Sequence, residues 1–202
     1  MNRLESLLSL ILLLSVAVPA VADTTLYSNG AINGTIDAWN ISSGKSDSFT
    51  LSAPADVETM SLGIWANPSS GTPATLQFGI SASPFGTDLG SGTETLSNVF
   101  QFINRQGADV YESSFTFPSI DLAAGTYWIT LFNGMTTNQG PLFWDQNNGP
   151  SEAFQSPGNS IPSESFSLGG TTAVPEPGTL ILLGTGLLGI AGTIRRKLAV
   201  NR

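Results

Sequence analysis

Between Asp23 and Ala173, apolar and polar residues alternate with a period of two, and no stretch carries the spacing of a buried helix face. Met60, Leu62 and Ile64 alternate, as do Leu76, Phe78 and Ile80. Tyr111, Phe115 and Phe117 share one face of another run, with Ser113 between them. Tyr127, Ile129 and Leu131 oppose Trp128, Thr130 and Phe132. Shorter candidates are residues 26–27, 36–41, 48–51, 99–103, 142–144 and 165–168. Successive side chains of a strand point to opposite faces, so each run offers one apolar face to a core. Clusters such as Asn67-Pro68-Ser69-Ser70-Gly71, Ser83-Pro84-Phe85-Gly86 and Asn147-Asn148-Gly149-Pro150 separate the runs as turns. The expected fold is all-β: an antiparallel β-sandwich or jelly roll. Residues 23–173 suffice for one such core.

The segment Leu122-Ala123-Ala124-Gly125-Thr126-Tyr127-Trp128 is read as a glycine turn releasing into a strand whose first aromatic braces the corner. It resembles hairpins of many secreted β-sandwich domains.

Composition removes several chemistries. The chain has no cysteine and no histidine. Disulfides, thiol nucleophiles, imidazole bases and the usual zinc sites are therefore absent. Fifteen acids, less Glu5 and Glu176, leave thirteen in the body; Lys45 and Arg105 are its only bases, a net of −11. Such a surface repels phosphate backbones, so no nucleic-acid partner is expected. It suits solubility outside the cell, or contact with cations or polysaccharide.

The two ends differ from the body. After Met-Asn-Arg, an apolar run from Leu7 to Val18 is broken by Pro19, and Ala20-Val21-Ala22 supplies small residues where signal peptidase cuts. Residues 1–22 read as a signal peptide, with cleavage between Ala22 and Asp23. The run is shorter than the ~20 residues that span a bilayer. At the other end, Val174-Pro175-Glu176-Pro177 reads as an extended linker, because prolines interrupt helices. No charge occurs among the 17 residues from Gly178 to Ile194. As a single hydrophobic helix they would reach about 25 Å, a short membrane span. Arg195, Arg196 and Lys197 follow and would stay cytoplasmic, placing the body outside.

A Pro-Glu-Pro motif, one apolar span and a basic end, in that order over residues 174–197, resemble the PEP-CTERM sorting signal. That signal occurs on exported proteins of Gram-negative bacteria that make extracellular polysaccharide. The resemblance implies an exosortase-type membrane protease that cuts near Val174-Pro175-Glu176-Pro177. It further implies a transient inner-membrane intermediate, then release to the envelope, surface or exterior. It says nothing of what the body does.

Within the body, Phe143-Trp144-Asp145-Gln146-Asn147-Asn148-Gly149 is the best candidate ligand site. Trp144 could stack on a sugar, while Asp145 and Asn147 could bond hydroxyls. Their oxygens could also take calcium, but the EF-hand pattern fails, since its required glycine falls at Pro150. The same segment also fits a turn beside a buried tryptophan. No metal or other cofactor is implied. The expectation is a non-catalytic exported domain of the cell surface or polysaccharide matrix. Two alternatives stay open: a carboxylate-dependent glycosidase or lyase, and a permanently anchored surface domain.

Overall fold

The computed structural model describes residues 24–172. The expected signal peptide with its cleavage site at Ala20, Ala22 and Asp23 lies outside the described residues, as does the tail from Val174 to Lys197. Among the described residues, no helix is long and apolar enough to cross a membrane.

The strands form two antiparallel sheets, the expected all-β sandwich. β1 (Thr24–Ser28), β2 (Ala38–Asn40), β4 (Ala55–Ala66), β7 (Ser97–Ile103), β8 (Asp109–Leu122), β10 (Leu142–Asp145) and β13 (Phe166–Thr172) make the first. β3 (Lys45–Leu51), β5 (Pro73–Ser81), β6 (Gly90–Thr95), β9 (Gly125–Thr136), β11 (Ala153–Gln155) and β12 (Asn159–Ile161) make the second, in the order β12-β11-β3-β9-β5-β6.

β4 is the hub of the first sheet. One side pairs with β8 along its length, from Ala55↔Leu122 to Ala66↔Asp109, and β7 closes that edge on β8. On the other side two strands meet end to end. β13 pairs with β4 as far as Leu62, β10 takes over from Ile64, and Gly63 faces the join.

The predicted apolar faces meet between the sheets. Met60, Leu62 and Ile64 of β4 and Leu76, Phe78 and Ile80 of β5 are buried, as are Ile129 and Leu131 of β9. Phe78 sits between Phe115 and Phe117, with ring centroids 5.5 and 4.8 Å away, so aromatic packing joins β5 to β8 across the core. Tyr127 braces the corner as expected: its Oη donates to the Ala123 carbonyl at 3.1 Å where the chain passes from β8 to β9. Asn67 accepts from the Ser69 amide at 3.0 Å and shapes the turn between β4 and β5. The run expected over residues 36–41 is shorter as a strand. β2 stops at Asn40, whose side chain accepts from the Ser42 amide at 2.8 Å and starts a 3₁₀ turn, Ile41–Ser43.

Phe78→Ala should cost about 3–5 kcal/mol, because it empties a closed aromatic contact. Val99→Ala, on the edge strand and 61% exposed, should stay within about 0.5 kcal/mol of the parent. Urea denaturation of both variants measures the contrast.

Candidate functional site

The segment singled out in the sequence begins on β10 and runs into a loop. Trp144 pairs with Ile64 and shares its inward face. The indole is fully buried, packs on Phe166 at 5.6 Å and donates from Nε1 to the Ser165 carbonyl at 3.0 Å. Its faces are closed to a sugar, which corrects the expected stacking role; the cause is the inward register of this strand position.

Asp145 points the other way, beneath the loop of residues 29–37. Its Oδ1 accepts from the Gly34 amide and from Trp65 Nε1, both at 2.7 Å. Its Oδ2 accepts from the Asn33 amide at 2.7 Å and Ser165 Oγ at 3.0 Å. Burial pushes this carboxyl's pKa up, while the four hydrogen bonds favour the anion. A side chain at Gly63 would collide with Ser165 Oγ and come within 2.8 Å of Asp145 Cβ, so the join between β10 and β13 requires glycine there.

Asn147 is also committed inside the fold. Its Nδ2 donates to the Asn29 carbonyl at 2.6 Å, and its Oδ1 accepts from the Gly149 amide at 2.9 Å and Ser163 Oγ at 3.0 Å. Trp144, Asp145 and Asn147 therefore do not converge on a ligand. They tie strand ends and loops together.

Two other features emerge. The first is a shallow groove of about 290 Å³ on the outer side of the first sheet, lined by Trp65, Phe143, Asp37, Asn67 and Gln106. It combines aromatic walls with hydrogen-bonding side chains. Only Phe143 was part of the sequence-read segment, since the others come from distant stretches.

The second is a buried charged cluster that the sequence reading missed. Asp47, on β3, and Glu164, just before β13, are fully buried, and Lys45 is 2% exposed. Asp47 Oδ2 accepts from the Glu164 amide at 2.8 Å and more weakly from Asn29 Nδ2 at 3.4 Å. Desolvation raises the Asp47 pKa to about 7. Desolvation, then the charges of Asp47 and Asp145, hold the Glu164 pKa well above the ordinary carboxylate range. Tyr27, beside Asp47, is raised to about 12, chiefly by burial and then by that charge. Burial lowers the Lys45 pKa against the opposing effect of Glu164. Position parity was the available signal: Asp47 stands two residues before core Phe49, and Glu164 two before core Phe166. Among the described residues, no three acidic side chains group as a metal set.

The described residues thus define an all-β sandwich with a polar end and a surface groove. Beyond them, residues 173–197 match the family model of the PEP-CTERM protein-sorting motif. The chain carries a PEP-CTERM sorting signal, as the resemblance implied, and is a sorted, exported protein. The motif implies passage through the membrane to the cell envelope or surface, and processing by exosortase, a membrane protease. The comparison with curated proteins gave no match.

The buried carboxyls set an expected pH dependence. Asp47 and Glu164 have folded pKa values above their unfolded values, so the folded state binds more protons. The stability this confers is complete below about pH 4 and is lost as pH rises through about 7 for Asp47, with Glu164 adding a loss of the same sign as pH rises above the ordinary carboxylate range. In metal-free buffer the protein should melt at a higher temperature at pH 5 than at pH 8. Thermal scans at matched ionic strength would measure it, and a higher melting temperature at pH 8 would contradict this account.

Proposed function

We propose that this is a non-catalytic, exported protein of the cell surface or extracellular matrix, and that its β-sandwich associates with exopolysaccharide. The observation that carries the reading is the groove beside β4 and β10. Half-buried Phe143 gives it an aromatic wall, Trp65 lines it with only 6% of its surface exposed, and Asp37, Asn67 and Gln106 give it groups able to bond sugar hydroxyls. Sites for neutral ligands combine apolar walls with a few placed polar groups. The body's net charge of −11 favours neutral or cation-bridged glycans over strongly acidic ones.

The same groove weighs against the glycosidase reading. Glycoside hydrolysis commonly uses two carboxyl groups flanking the bond, and Asp37 is the one carboxylate lining the groove. The interior carboxylates Asp47, Asp145 and Glu164 are closed to a chain of sugars.

The host's own polysaccharide should retard the protein in affinity electrophoresis without releasing reducing ends. Phe143→Ala should weaken that retardation about tenfold, roughly 1.4 kcal/mol, while leaving the protein folded. Unchanged retardation in the variant would remove the groove from the account. Release of reducing ends would favour the enzyme.

Removal of the tail is tested separately by intact mass of the protein from envelope and medium. Processing at both ends, by signal peptidase before Asp23 and by exosortase at the tail, predicts a chain starting at Asp23 and ending near residues 175–178. A species retaining Arg202 would instead support a lasting anchor.

A further inference from the structure

We propose that Asp47 and Glu164 hold a divalent cation, calcium by its chemistry, inside the polar end of the sandwich. The first ground is unmet hydrogen bonding. Both Glu164 carboxylate oxygens, Asp47 Oδ1 and Ser151 Oγ are buried without a hydrogen-bond partner, four of the five such side-chain atoms among the described residues. Native folds leave few buried polar atoms unpaired, so their gathering in one region calls for a partner. The Ser151 hydroxyl approaches both Asp47 and Tyr27 closely enough to lower their pKa values, although its geometry falls short of a well-formed hydrogen bond. Glu164 is anchored beside Asp47 through its own amide, 2.8 Å from Oδ2.

The second ground is charge. Among the described residues, Lys45 is the cation that acts on Glu164, yet its ammonium donates to Ser43 Oγ at 2.9 Å and the Gly44 carbonyl at 3.5 Å. Asp145 and Asp37 add further negative potential at Glu164. Asp145 needs no help, because four donors surround it, whereas Asp47 is bonded through Oδ2 alone and neither carboxylate oxygen of Glu164 has a donor. Uncompensated charges in a protein interior are strongly unfavourable.

The third ground is the kind of atom offered. Every unpaired group here except Ser151's hydroxyl is a carboxylate oxygen, and there is no nitrogen or sulfur ligand in the set. Hard, all-oxygen sets suit calcium, which accepts two carboxylates completed by hydroxyls, backbone carbonyls and water. This site is separate from the groove, so its failure would leave the polysaccharide reading standing.

The test uses the protein recovered from its host, stripped with chelator and titrated with calcium chloride alone at pH 7.5. Equilibrium dialysis should give one calcium per chain. The melting temperature should rise by about 5–10 °C when free calcium is roughly a hundred times Kd. Glu164→Gln should abolish both effects, yet in chelator it should melt at or above the parent temperature, because it removes a buried charge. A purely structural glutamate would not give that combination. Should Glu164→Gln fail to fold, Asp47→Asn serves as the second variant, with the same expected loss of binding. No stoichiometric binding by the parent would overturn the proposal and leave a bound proton as the partner of the pair. Undiminished binding by a folded variant of either residue would overturn it equally.

Discussion

The carboxylate of Asp145 is the joint on which this end of the sandwich depends. β10 and β13 abut beside β4, and a sheet edge broken in that way leaves backbone groups short of partners. The chain closes the gap with Gly63 N donating to Ser165 O at 3.2 Å and Ser165 N donating to Asp145 O at 2.8 Å. The Asp145 side chain then reaches over the join. It gathers Trp65 from β4, Ser165 from the approach to β13, and two successive amides of the loop above. Hydrogen bonds to an ionised acceptor are stronger than neutral ones, and removing a buried acceptor strands every donor at once. The loop's position, and with it one side of the groove near Asp37, therefore traces back to a single buried carboxyl group.

The interior divides into two chemistries. Around Phe78, Phe115 and Phe117 it is wholly apolar, and packing there supplies the stability. Toward Lys45, Asp47 and Glu164 it is charged, and folding must overcome the desolvation of those groups. Asp145, also a buried acid, differs from the pair in one respect: its hydrogen bonds are complete. The contrast between one fully bonded carboxylate, one bonded through a single oxygen and one with no donor at all is what singles the pair out. A general tolerance for buried charge would not predict it.

Strands that carry apolar alternation were legible in the sequence, because inward side chains of β4, β5, β8 and β9 advertise their own period. β6 was not legible. Gly90-Ser91-Gly92-Thr93-Glu94-Thr95 holds no large apolar residue, and it is a strand because β5 offers it a partner. β11 and β12 are three residues each, too short for a period to show. The segment around Trp144 was legible as a polar and aromatic cluster but not in its orientation, which is fixed only by the pairing of Trp144 with Ile64. Asp47 and Glu164 stand 117 positions apart. Parity marks each as inward, but only the folded sheets bring them together.

The sorting signal lay at the opposite extreme of legibility. A motif, an apolar run and basic residues within 173–197 can be read locally, without knowledge of any pairing. The fold nevertheless bears on how that signal presents the body. Thr24 pairs with Gly170, and Thr172 pairs with Ala55 at the start of β4. The two ends of the described residues, Thr24 and Thr172, thus lie at the same end of the sandwich. Trp65 and Asn67, which line the groove, lie at the other end of β4, roughly 35 Å away at the usual rise of a strand. The groove therefore lies at the end of β4 remote from Thr172, the last described residue before the sorting signal. If the groove takes polysaccharide, as proposed, it does so at the end of the sandwich away from where the chain leads into the sorting signal.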